Sequence, residues 1–443
     1  MSIELLTLVL FASFFLLLAT GFPIAWTLGG IGMVFTLFFL GPTNFSTAAM
    51  GAWNMMMSFT LLAIPLFVFL GFILQHSGLA EALYRSMLLW AGRLPGGLAI
   101  GTVFICTIMA AMVGTIGAGI VVSSIIGLPE MRKRGYNDRM VIGAIMAGGT
   151  LGVLIPPSVG FLVYAAATNL SVGQLFAAGL VPGLVLSGLY MTYIGIRCAI
   201  NPAMGPPLAH EERASFGKKI ASLKDSILAV VLIFAVLGSI FTGVATPTEA
   251  AAVGCFFALI IAAIYRKLSL PMTRDALYGT LSIFGMIMFI FIGAIIFSRF
   301  YMGMGIRAYL DDILITLAVS RWVILAGMML FIFLAGMIIH DIAIILVCAP
   351  IFTEVVVALG FDPLWFGMVF LVNIQIAILS PPFGPALFYM RGCVDDKVGY
   401  KGVAMAAFPY MGMQVIGLTL CILFPQIILW LPNLIFGLSR CNL

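Results

Sequence analysis

Two pairs of neighbouring prolines are the residues of this chain whose spacing most clearly predicts binding chemistry. Pro156-Pro157 and Pro381-Pro382 each lie inside a long apolar stretch. A proline lacks a backbone N–H donor and clashes with the preceding helical turn, so each pair should break a helix. We predict unwound backbone over residues 152–157 and 377–382. Carbonyl groups freed in this way are hard oxygen ligands of the kind that Na⁺ accepts.

Each break should be followed by a new half-helix, beginning at Ser158 and at Phe383. The free amides and positive dipole end of a helix start suit an anionic group. A single proline more often marks a kink without a ligand, whereas two corresponding pairs favour a binding site. Asn373 and Gln375 precede the second break, and because they are two residues apart at most one faces a cavity directly. Candidate substrate contacts are Ser158, Asn373 and Gly384, and a contact with the hairpin is the alternative for Asn373.

Ionisable residues are few inside the apolar stretches. His340 and Asp341 fall between two apolar segments, where ion or proton coupling is the default hypothesis. An alternative stays open, in which both reach periplasmic water or Asp341 caps the following helix. Glu249 follows Thr246 by three residues and is interpreted as the cap of a helix start. A solvated periplasmic face is predicted for Arg299, Arg307, Asp311 and Asp312.

The composition places these residues in a membrane. Of 443 residues, 63% are hydrophobic and 8% are charged, against roughly 25% charged in a soluble domain. Uncharged windows of about 17 or more residues recur, long enough to cross most of a hydrocarbon core about 30 Å thick. The windows are continuously apolar rather than alternating in polarity, which excludes a transmembrane barrel. The predicted fold class is an all-α polytopic membrane protein.

Charge and cysteine usage narrow the class further. The net charge of +5 comes from basic residues in short loops between apolar spans, a pattern of membrane orientation that excludes a nucleic-acid partner. Seven cysteines without paired spacing indicate apolar packing rather than disulfides or metal ligands. Glu4 stands where a secretory leader would be basic, so the first apolar run is predicted to be a retained helix.

The apolar segments form two series separated by a polar cytoplasmic linker over residues 201–225. The first series comprises residues 3–19, 24–40, 59–74, 97–113, 116–129, 140–168 and 175–196. The second series comprises residues 227–242, 250–264, 277–297, 322–339, 342–359, 364–389 and 403–431.

The two halves carry the same landmarks at a nearly constant offset. Gly135-Tyr136-Asn137, Pro156-Pro157 and Tyr164 are followed 225 residues later by Gly360-Phe361-Asp362, Pro381-Pro382 and Tyr389. Pro23 and Gly30 are followed 224 residues later by Pro247 and Gly254. Glycine and proline are frequent in membrane helices, but a series at one spacing predicts an internal repeat. The repeats would occupy residues 1–200 and 226–443.

Loop charge predicts the relative orientation of the repeats. Cytoplasmic loops are indicated by the clusters of Arg132, Lys133, Arg134 and Arg139, of Arg213, Lys218, Lys219 and Lys224, of Arg266 and Lys267, and of Arg391, Lys397 and Lys401. Loops 41–53 and 169–174 are uncharged and are placed outside. These placements agree only if segments 97–130 and 321–359 are re-entrant hairpins and the repeats are inverted. Each repeat then pairs its hairpin with a broken helix, 139–168 or 363–391, with tips near Gly114-Thr115 and Gly336.

Three motifs together resemble a known transporter family. They are Gly149-Thr150-Leu151-Gly152 leading to Ile155-Pro156-Pro157-Ser158, Thr246-Pro247-Thr248-Glu249-Ala250-Ala251-Ala252, and Gly360-Phe361-Asp362-Pro363 leading to Pro381-Pro382. The chain resembles the large membrane subunit of TRAP (tripartite ATP-independent periplasmic) transporters over essentially its whole length. The resemblance implies sodium-coupled import of a small organic anion by an elevator mechanism. It also implies a small four-helix membrane partner, a periplasmic binding protein, and a bacterial or archaeal cytoplasmic membrane.

The resemblance also implies the ion ligands. The first sodium site would comprise Gly114, Thr115, Gly152, Ile155 and Pro157, and the second Gly336, Ala377, Ser380 and Phe383. Several positions depart from the family pattern, since the first hairpin tip lacks its serines and the usual Thr-Pro-Pro-Val is Ser380-Pro381-Pro382-Phe383. Gln375 and Phe383 suggest a substrate other than sialic acid or a C4-dicarboxylate.

Three other classes of function are possible for a polytopic membrane protein of this kind. A stand-alone sodium/dicarboxylate symporter of related fold would work without a binding protein. A membrane enzyme, or an ion-translocating subunit of a respiratory complex, would need a proton relay or a catalytic set, and the sequence has three histidines without paired metal spacing. A channel is disfavoured because inverted repeats with occluding hairpins suit alternating access. The chain is therefore predicted not to be an enzyme.

Overall fold

The computed structural model describes residues 2–92, 94–208, 216–222, 224–306 and 319–437. Every regular element in these ranges is helical, and seven of the described helices are at least 18 residues long and apolar enough to cross a membrane. The predicted all-α polytopic class is confirmed. Four residues with predicted positions lie outside the described residues. They are Arg307, Asp311 and Asp312 of the predicted periplasmic face and Arg213 of the predicted cytoplasmic linker.

The helices are numbered in chain order. The first repeat contains α1 (Ile3–Ala19), α2 (Ile24–Phe35), α3 (Phe45–Met56), α4 (Phe59–His76), α5 (Leu79–Ala91), α6 (Gly97–Val113), α7 (Ile116–Lys133), α8 (Asp138–Thr150), α9 (Val159–Thr168) and α10 (Val172–Ile200). The linker contains α11 (Phe216–Ser222). The second repeat contains α12 (Lys224–Phe241), α13 (Pro247–Ile264), α14 (Leu270–Gly303), α15 (Arg321–Ile338), α16 (Asp341–Ala358), α17 (Pro363–Leu379), α18 (Pro385–Arg391), α19 (Gly399–Leu423) and α20 (Gln426–Phe436).

Two predicted segments differ from the structure, and one helix has no predicted counterpart. The loop predicted over residues 41–53 contains most of α3, and α5 was not predicted at all. Helix α5 is amphipathic, with a buried face and exposed residues that include Arg85 and Trp90, so its sequence lacks the continuous apolar run that marks a span. The segment predicted over 403–431 is two helices, because the chain leaves the helix at Phe424 and restarts after Pro425.

Two pairs of helices form hairpins. Helices α6 and α7 meet at Gly114-Thr115, where Gly114 has a φ of 63° that favours glycine. Helices α15 and α16 meet at Ile339-His340. The second tip was predicted near Gly336, which lies instead in the last turn of α15. The repeat offset of 225 maps Gly114-Thr115 onto Ile339-His340, so the offset is a better guide to this tip than glycine content.

The two proline pairs do break their helices, with bounds that differ from those predicted. Helix α17 continues through Ala377 to Leu379, because only Ser380, the residue before Pro381, is forced into extended backbone. The following half-helix begins at Pro385 rather than Phe383, and proline is favoured at a first helical position. In the first repeat, a short 3₁₀ turn ends at Val153, and α9 begins at Val159 with Ser158 as its N-cap.

The hairpins pack against half-helices of the opposite repeat. Helix α16 contacts α9, and α7 contacts α18. The repeat-related tyrosines make these contacts, since the Tyr164 hydroxyl lies 2.9 Å from Thr353 Oγ1 in α16. Tyr389 covers Gly117 in α7, where an added Cβ would lie 3.0 Å from the ring. Each repeat therefore holds the hairpin of the other.

The molecule has an inner and an outer group of helices. The inner group consists of the hairpins, the broken helices, α10 and α19. Within this group, helices α8, α9 and α17 are buried along almost their whole length. The outer group includes α2, α4, α13 and α14, in which α2 packs on α14 and α4 on α13. Small residues allow close contact between α2 and α14, where a Cβ on Gly32 would lie 2.9 Å from the backbone nitrogen of Phe297.

Candidate functional site

A cavity of about 300 Å³ lies between the tips of the two hairpins. The hairpin tips, the N-terminus of α9, one face of α14 and Tyr389 of α18 form its wall. The lining residues are Gly114, Thr115, Ile116, Gly117, Val153, Ser158, Val159, Gly160, Ile283, Met286, His340, Asp341, Ile342 and Tyr389. Five of these lining residues are predicted to bind ions or substrate or to couple ions. They are Gly114, Thr115, Ser158, His340 and Asp341.

Three helix N-termini converge on this cavity. Helices α7, α9 and α16 begin beside Thr115, Ser158 and His340, and each contributes its first residues to the wall. The starts of α7 and α9 have no side-chain cap, and Ser158 Oγ donates instead to the Val153 carbonyl at 2.8 Å. Their first-turn amides therefore remain available, and these N-termini attract negative charge.

His340 and Asp341 form an ion pair at the second tip, with His340 Nδ1 2.7 Å from Asp341 Oδ1. Because His340 Nδ1 donates its proton to Asp341, the same nitrogen does not accept the Ile342 N–H, which lies 3.4 Å away. His340 occupies the N-cap position of α16 and Asp341 is the first residue of that helix, so Asp341 is not the N-cap. Because both residues line the cavity, they remain candidates for coupling.

The first hairpin tip packs directly on the first helix break. A Cβ added to Gly114 would lie 2.5 Å from the Pro157 carbonyl oxygen, and one added to Gly152 would lie 3.1 Å from the Thr115 carbonyl oxygen. Backbone groups of four residues assigned to the first sodium site are thus in contact. The side chain of the fifth, Ile155, packs on Gly183 of α10. Carbonyl oxygens at this junction fit Na⁺, which takes oxygen ligands.

The residues assigned to the second sodium site are arranged differently. A Cβ on Gly336 would lie 2.6 Å from the Ala377 Cβ, so α15 and α17 are in close contact there. The Ala377 carbonyl accepts the Ser380 N–H at 3.0 Å, and the Ser380 carbonyl accepts the Gly384 N–H at 2.9 Å. The Phe383 side chain is exposed, so Phe383 could contribute only backbone to an ion.

Two of the predicted substrate contacts lie away from the cavity. Asn373 is buried, and its Nδ2 donates to the Met329 carbonyl of α15 at 2.7 Å, so this side chain fastens α17 to the second hairpin. Gly384 is not a lining residue, because its backbone is enclosed by the Ile378 and Ser380 carbonyl groups. Ser158 is the one of the three that lines the cavity.

A buried polar cluster between the broken helices was not predicted. The side-chain nitrogens of Gln375 and Gln414 donate to Thr150 Oγ1 at 3.1 and 3.2 Å, and Gln375 also lies 3.5 Å from the Tyr190 hydroxyl. Thr150 and Gln375 are 225 residues apart, and Tyr190 and Gln414 are 224 apart. We call these four residues the axis cluster, because equivalent residues of the two repeats meet there. The repeat offset in the sequence was the signal that could have revealed it.

Two further observations limit the chemistry. The described residues contain no group of three or more His, Cys, Asp or Glu side chains that could hold a metal ion. A second cavity, of about 380 Å³, lies between α1 and the second hairpin, and its described lining residues, such as Phe14, Met328 and Phe352, include no charged side chain. The cavity between the hairpin tips is therefore the better candidate for a charged ligand.

Comparison with known proteins gives one consistent family. Residues 11–427 match the model of the family described as "Tripartite ATP-independent periplasmic transporter, DctM component". The chain is 33% identical to the C4-dicarboxylate TRAP transporter large permease protein DctM of Pseudomonas aeruginosa over 91% of this chain and 93% of that protein. It is 31% identical to the protein of the same name from Rhodobacter capsulatus, over 97% of this chain and 99% of that one.

A solved structure shows the same fold. The YdaH transporter of Alcanivorax borkumensis superposes with a TM-score of 0.62 and 15% sequence identity, covering 91% of this chain and 90% of that one. Both the family model and the curated relatives cover nearly all of the sequence, including both hairpins and both proline breaks. The chain therefore belongs to the DctM family of TRAP transporter large permease subunits, multi-pass proteins of the inner membrane that transport rather than catalyse.

Proposed function

We propose that this permease imports a small organic anion together with Na⁺, and that anion and ion bind beside one another at the cavity between the hairpin tips. The convergence of both tips and the first helix break on one space carries the proposal. The uncapped starts of α7 and α9 would hold the anion. Carbonyl groups at the contact of Gly114 with Pro157 would hold the cation.

Placing the two ligands side by side accounts for coupling. A cation at the Gly114 junction stabilises an anion in the neighbouring cavity by Coulomb attraction, which is stronger inside a protein than in water. Neither ligand gains this energy alone. Binding of one should therefore increase the affinity for the other, and by linkage the effect is reciprocal. His340 and Asp341, on the cavity wall, would tune the charge balance.

An elevator movement fits the placement of the cavity. Ile283 and Met286 on α14 of the outer group form one part of the wall, and the inner group forms the rest. A displacement of the inner group along α14 would carry the ligand while the hairpins stay closed on it. Inverted repeats usually move in this way, one rigid group against another.

The partners follow from the family. DctM-type permeases work with a small membrane subunit and a periplasmic binding protein, and we propose that this chain does so with a separate four-helix subunit. The isethionate permease protein DctMQ of Oleidesulfovibrio alaskensis is longer, since the alignment with this chain covers 65% of it. Exposed apolar side chains, among them Trp26, Phe38, Trp53 and Phe59, supply a surface for lipid or for such a subunit.

Reconstituted uptake tests the proposal. The purified chain and its small subunit, in liposomes with an inward Na⁺ gradient, should accumulate the ligand of the cognate binding protein only when that protein is added outside. Replacing Na⁺ with K⁺ should abolish accumulation. Uptake by the chain without any binding protein would instead support the stand-alone symporter. Uptake at the same rate with and without Na⁺ would contradict ion coupling.

A further inference from the structure

The base of the first hairpin, formed by the start of α6 and the turn between α7 and α8, is covered by part of the linker. Residues 201–208, which we call the strap, follow α10 and lie on this base. The Gly96 N–H donates to the Gly205 carbonyl at 2.8 Å, and the Asn137 N–H donates to the Met204 carbonyl at 2.9 Å. A Cβ on Gly205 would lie 2.9 Å from the Gly96 Cα. The first hairpin base therefore binds a peptide segment through main-chain contacts.

The base of the second hairpin is formed by the start of α15 and the turn between α16 and α17, and no strap covers it. The repeat offset of 225 maps Gly96 onto Arg321 and Asn137 onto Asp362, and it maps the bounds of α6 and α7 onto those of α15 and α16 within one residue. The residues after α19 instead form α20, which packs on α10, α17 and α19. The N–H groups of Arg321 and Asp362 have no partner in the part of the chain that the structure describes.

Arg321 gives the second hairpin base an unpaired positive charge. The side chain is exposed, and its guanidinium carbon lies 4.8 Å from the Phe361 ring centroid and 5.8 Å from that of Trp322. It forms no ion pair with any described carboxylate, and the Asp362 side chain caps α17 instead. A cation in the first turn of α15 also adds to the positive end of the helix dipole, which is unfavourable. An anionic partner would remove this cost.

The rest of this surface is aromatic and partly exposed. Phe361 stacks on the buried Trp365 with ring centroids 5.4 Å apart, and Trp322 packs edge-on against Phe361 at 5.0 Å. Trp322 is 46% exposed and the next residue, Val323, is 60% exposed. Tryptophan and arginine are enriched among the residues that contribute most to protein–protein binding. The second hairpin base therefore suits a peptide segment with an acidic side chain and an apolar one.

The second hairpin base lies on the face opposite the strap. Arg132 Nη1 is 2.7 Å from Asp395 Oδ2, so the turn between α7 and α8 lies beside the loop that follows α18. Helices α17 and α18 lead from the second hairpin base to that loop. The basic residues of both loops predict a cytoplasmic face, so the second hairpin base faces the periplasm. An arginine there runs against the usual bias of basic residues, which favours a role in binding.

We propose that the second hairpin base docks an acidic segment of the periplasmic binding protein, an inference that rests on the proposed function. A carboxylate of that segment pairs with Arg321, and an apolar side chain lies on Trp322. A main-chain carbonyl accepts the Asp362 N–H, as the Met204 carbonyl accepts that of Asn137 in the first repeat. The tip of the same hairpin lines the cavity, so the binding protein contacts the element that closes on the ligand.

Uptake into liposomes that contain the full-length chain and its small subunit tests this docking, with the concentration of the cognate binding protein varied. Arg321→Gln should raise the binding-protein concentration for half-maximal uptake at least about fivefold, the effect of losing one important interface side chain, and leave the maximal rate unchanged. Arg321→Lys keeps the charge and should have a smaller effect. Trp322→Ala should act in the same direction as Arg321→Gln. Arg85→Gln, which removes an exposed arginine of α5, should have no effect.

Salt provides a second measurement. Because an exposed ion pair is screened by salt, added NaCl should raise the half-maximal concentration more for the unaltered chain than for Arg321→Gln. A lower maximal rate at an unchanged half-maximal concentration would show that Arg321 supports the hairpin or binds a lipid headgroup, and would overturn the proposal. Identical kinetics of Arg321→Gln and the unaltered chain would also overturn it, but would leave the proposed function intact if uptake still required Na⁺ and the binding protein. Uptake without any binding protein would remove both.

Discussion

At the scale of single residues, the site is made largely from backbone. Gly114, Gly152 and Pro157 bring main-chain groups together without contributing functional side chains. Glycine and proline mark places where the backbone must leave a helix, so these residues can be selected as candidates from the sequence. The error at Gly336 arose because glycine content does not determine which residue of a short tip lies outside the helix.

Thr115 supplies a hydroxyl at the cavity wall, and its removal should weaken the response to Na⁺. We expect Thr115→Ala to raise the Na⁺ concentration for half-maximal uptake by a factor corresponding to roughly 1 to 3 kcal/mol, the loss of one buried polar partner. Thr419→Ala is a matched control, because Thr419 is an exposed threonine of α19 bonded to its own helix. Equal Na⁺ activation in the two variants would remove Thr115 from the ion site.

At the scale of elements, the broken helices are fastened to each other at the axis cluster. Four helices, α8, α10, α17 and α19, are joined by hydrogen bonds from the side-chain nitrogens of Gln375 and Gln414, whereas the side-chain oxygens of both residues are buried without a partner among the described residues. Helix α8 ends at Thr150, directly before the first break. The cluster therefore fixes the position from which the unwound segment starts.

A double-mutant cycle measures this fastening. Thr150→Val and Gln375→Leu should each lower the thermal stability of the purified chain, and their effects should not add, because both remove the same hydrogen bond. We expect a coupling energy of about 0.5 to 2 kcal/mol, the range found for contacting residues and for hydrogen bonds in membranes. Strict additivity would show that the contact contributes nothing. Thr280→Val, which removes a buried hydroxyl bonded within α14, is the control that should add to Gln375→Leu.

At the scale of the whole molecule, the sequence predicted the spanning helices and the internal repeat. It did not predict the amphipathic helix α5 or the contacts between distant polar residues. Continuous apolar runs predicted the spanning helices, and the offset of 225 predicted the pairing of the halves. Helix α5 was missed because only one face is apolar. The axis cluster was missed because single polar residues acquire meaning only when two distant helices meet. The orientation of the hairpins in the bilayer is still a prediction from loop charge.

Accessibility measurements test that orientation. The prediction places Lys133 on the cytoplasmic side and Asn169 on the periplasmic side. In a variant without native cysteines, Lys133→Cys in intact cells should resist an impermeant thiol reagent added outside and react after permeabilisation. Asn169→Cys should react in both conditions. Labelling of Lys133→Cys in intact cells would contradict the inverted arrangement.

We propose that the first hairpin tip and the first helix break hold Na⁺ between them. Equilibrium binding of radioactive sodium to the purified chain tests it directly and needs no knowledge of the substrate. Gly114→Ala places a Cβ 2.5 Å from the Pro157 carbonyl oxygen. Gly437 has the same left-handed backbone, with φ 61° and ψ 27° against 63° and 14° at Gly114, and no atom within 4 Å of an added Cβ, so Gly437→Ala is the matched control. We predict saturable Na⁺ binding that Gly114→Ala weakens at least about tenfold and Gly437→Ala preserves. Unaltered Na⁺ binding by a folded Gly114→Ala variant would contradict the account.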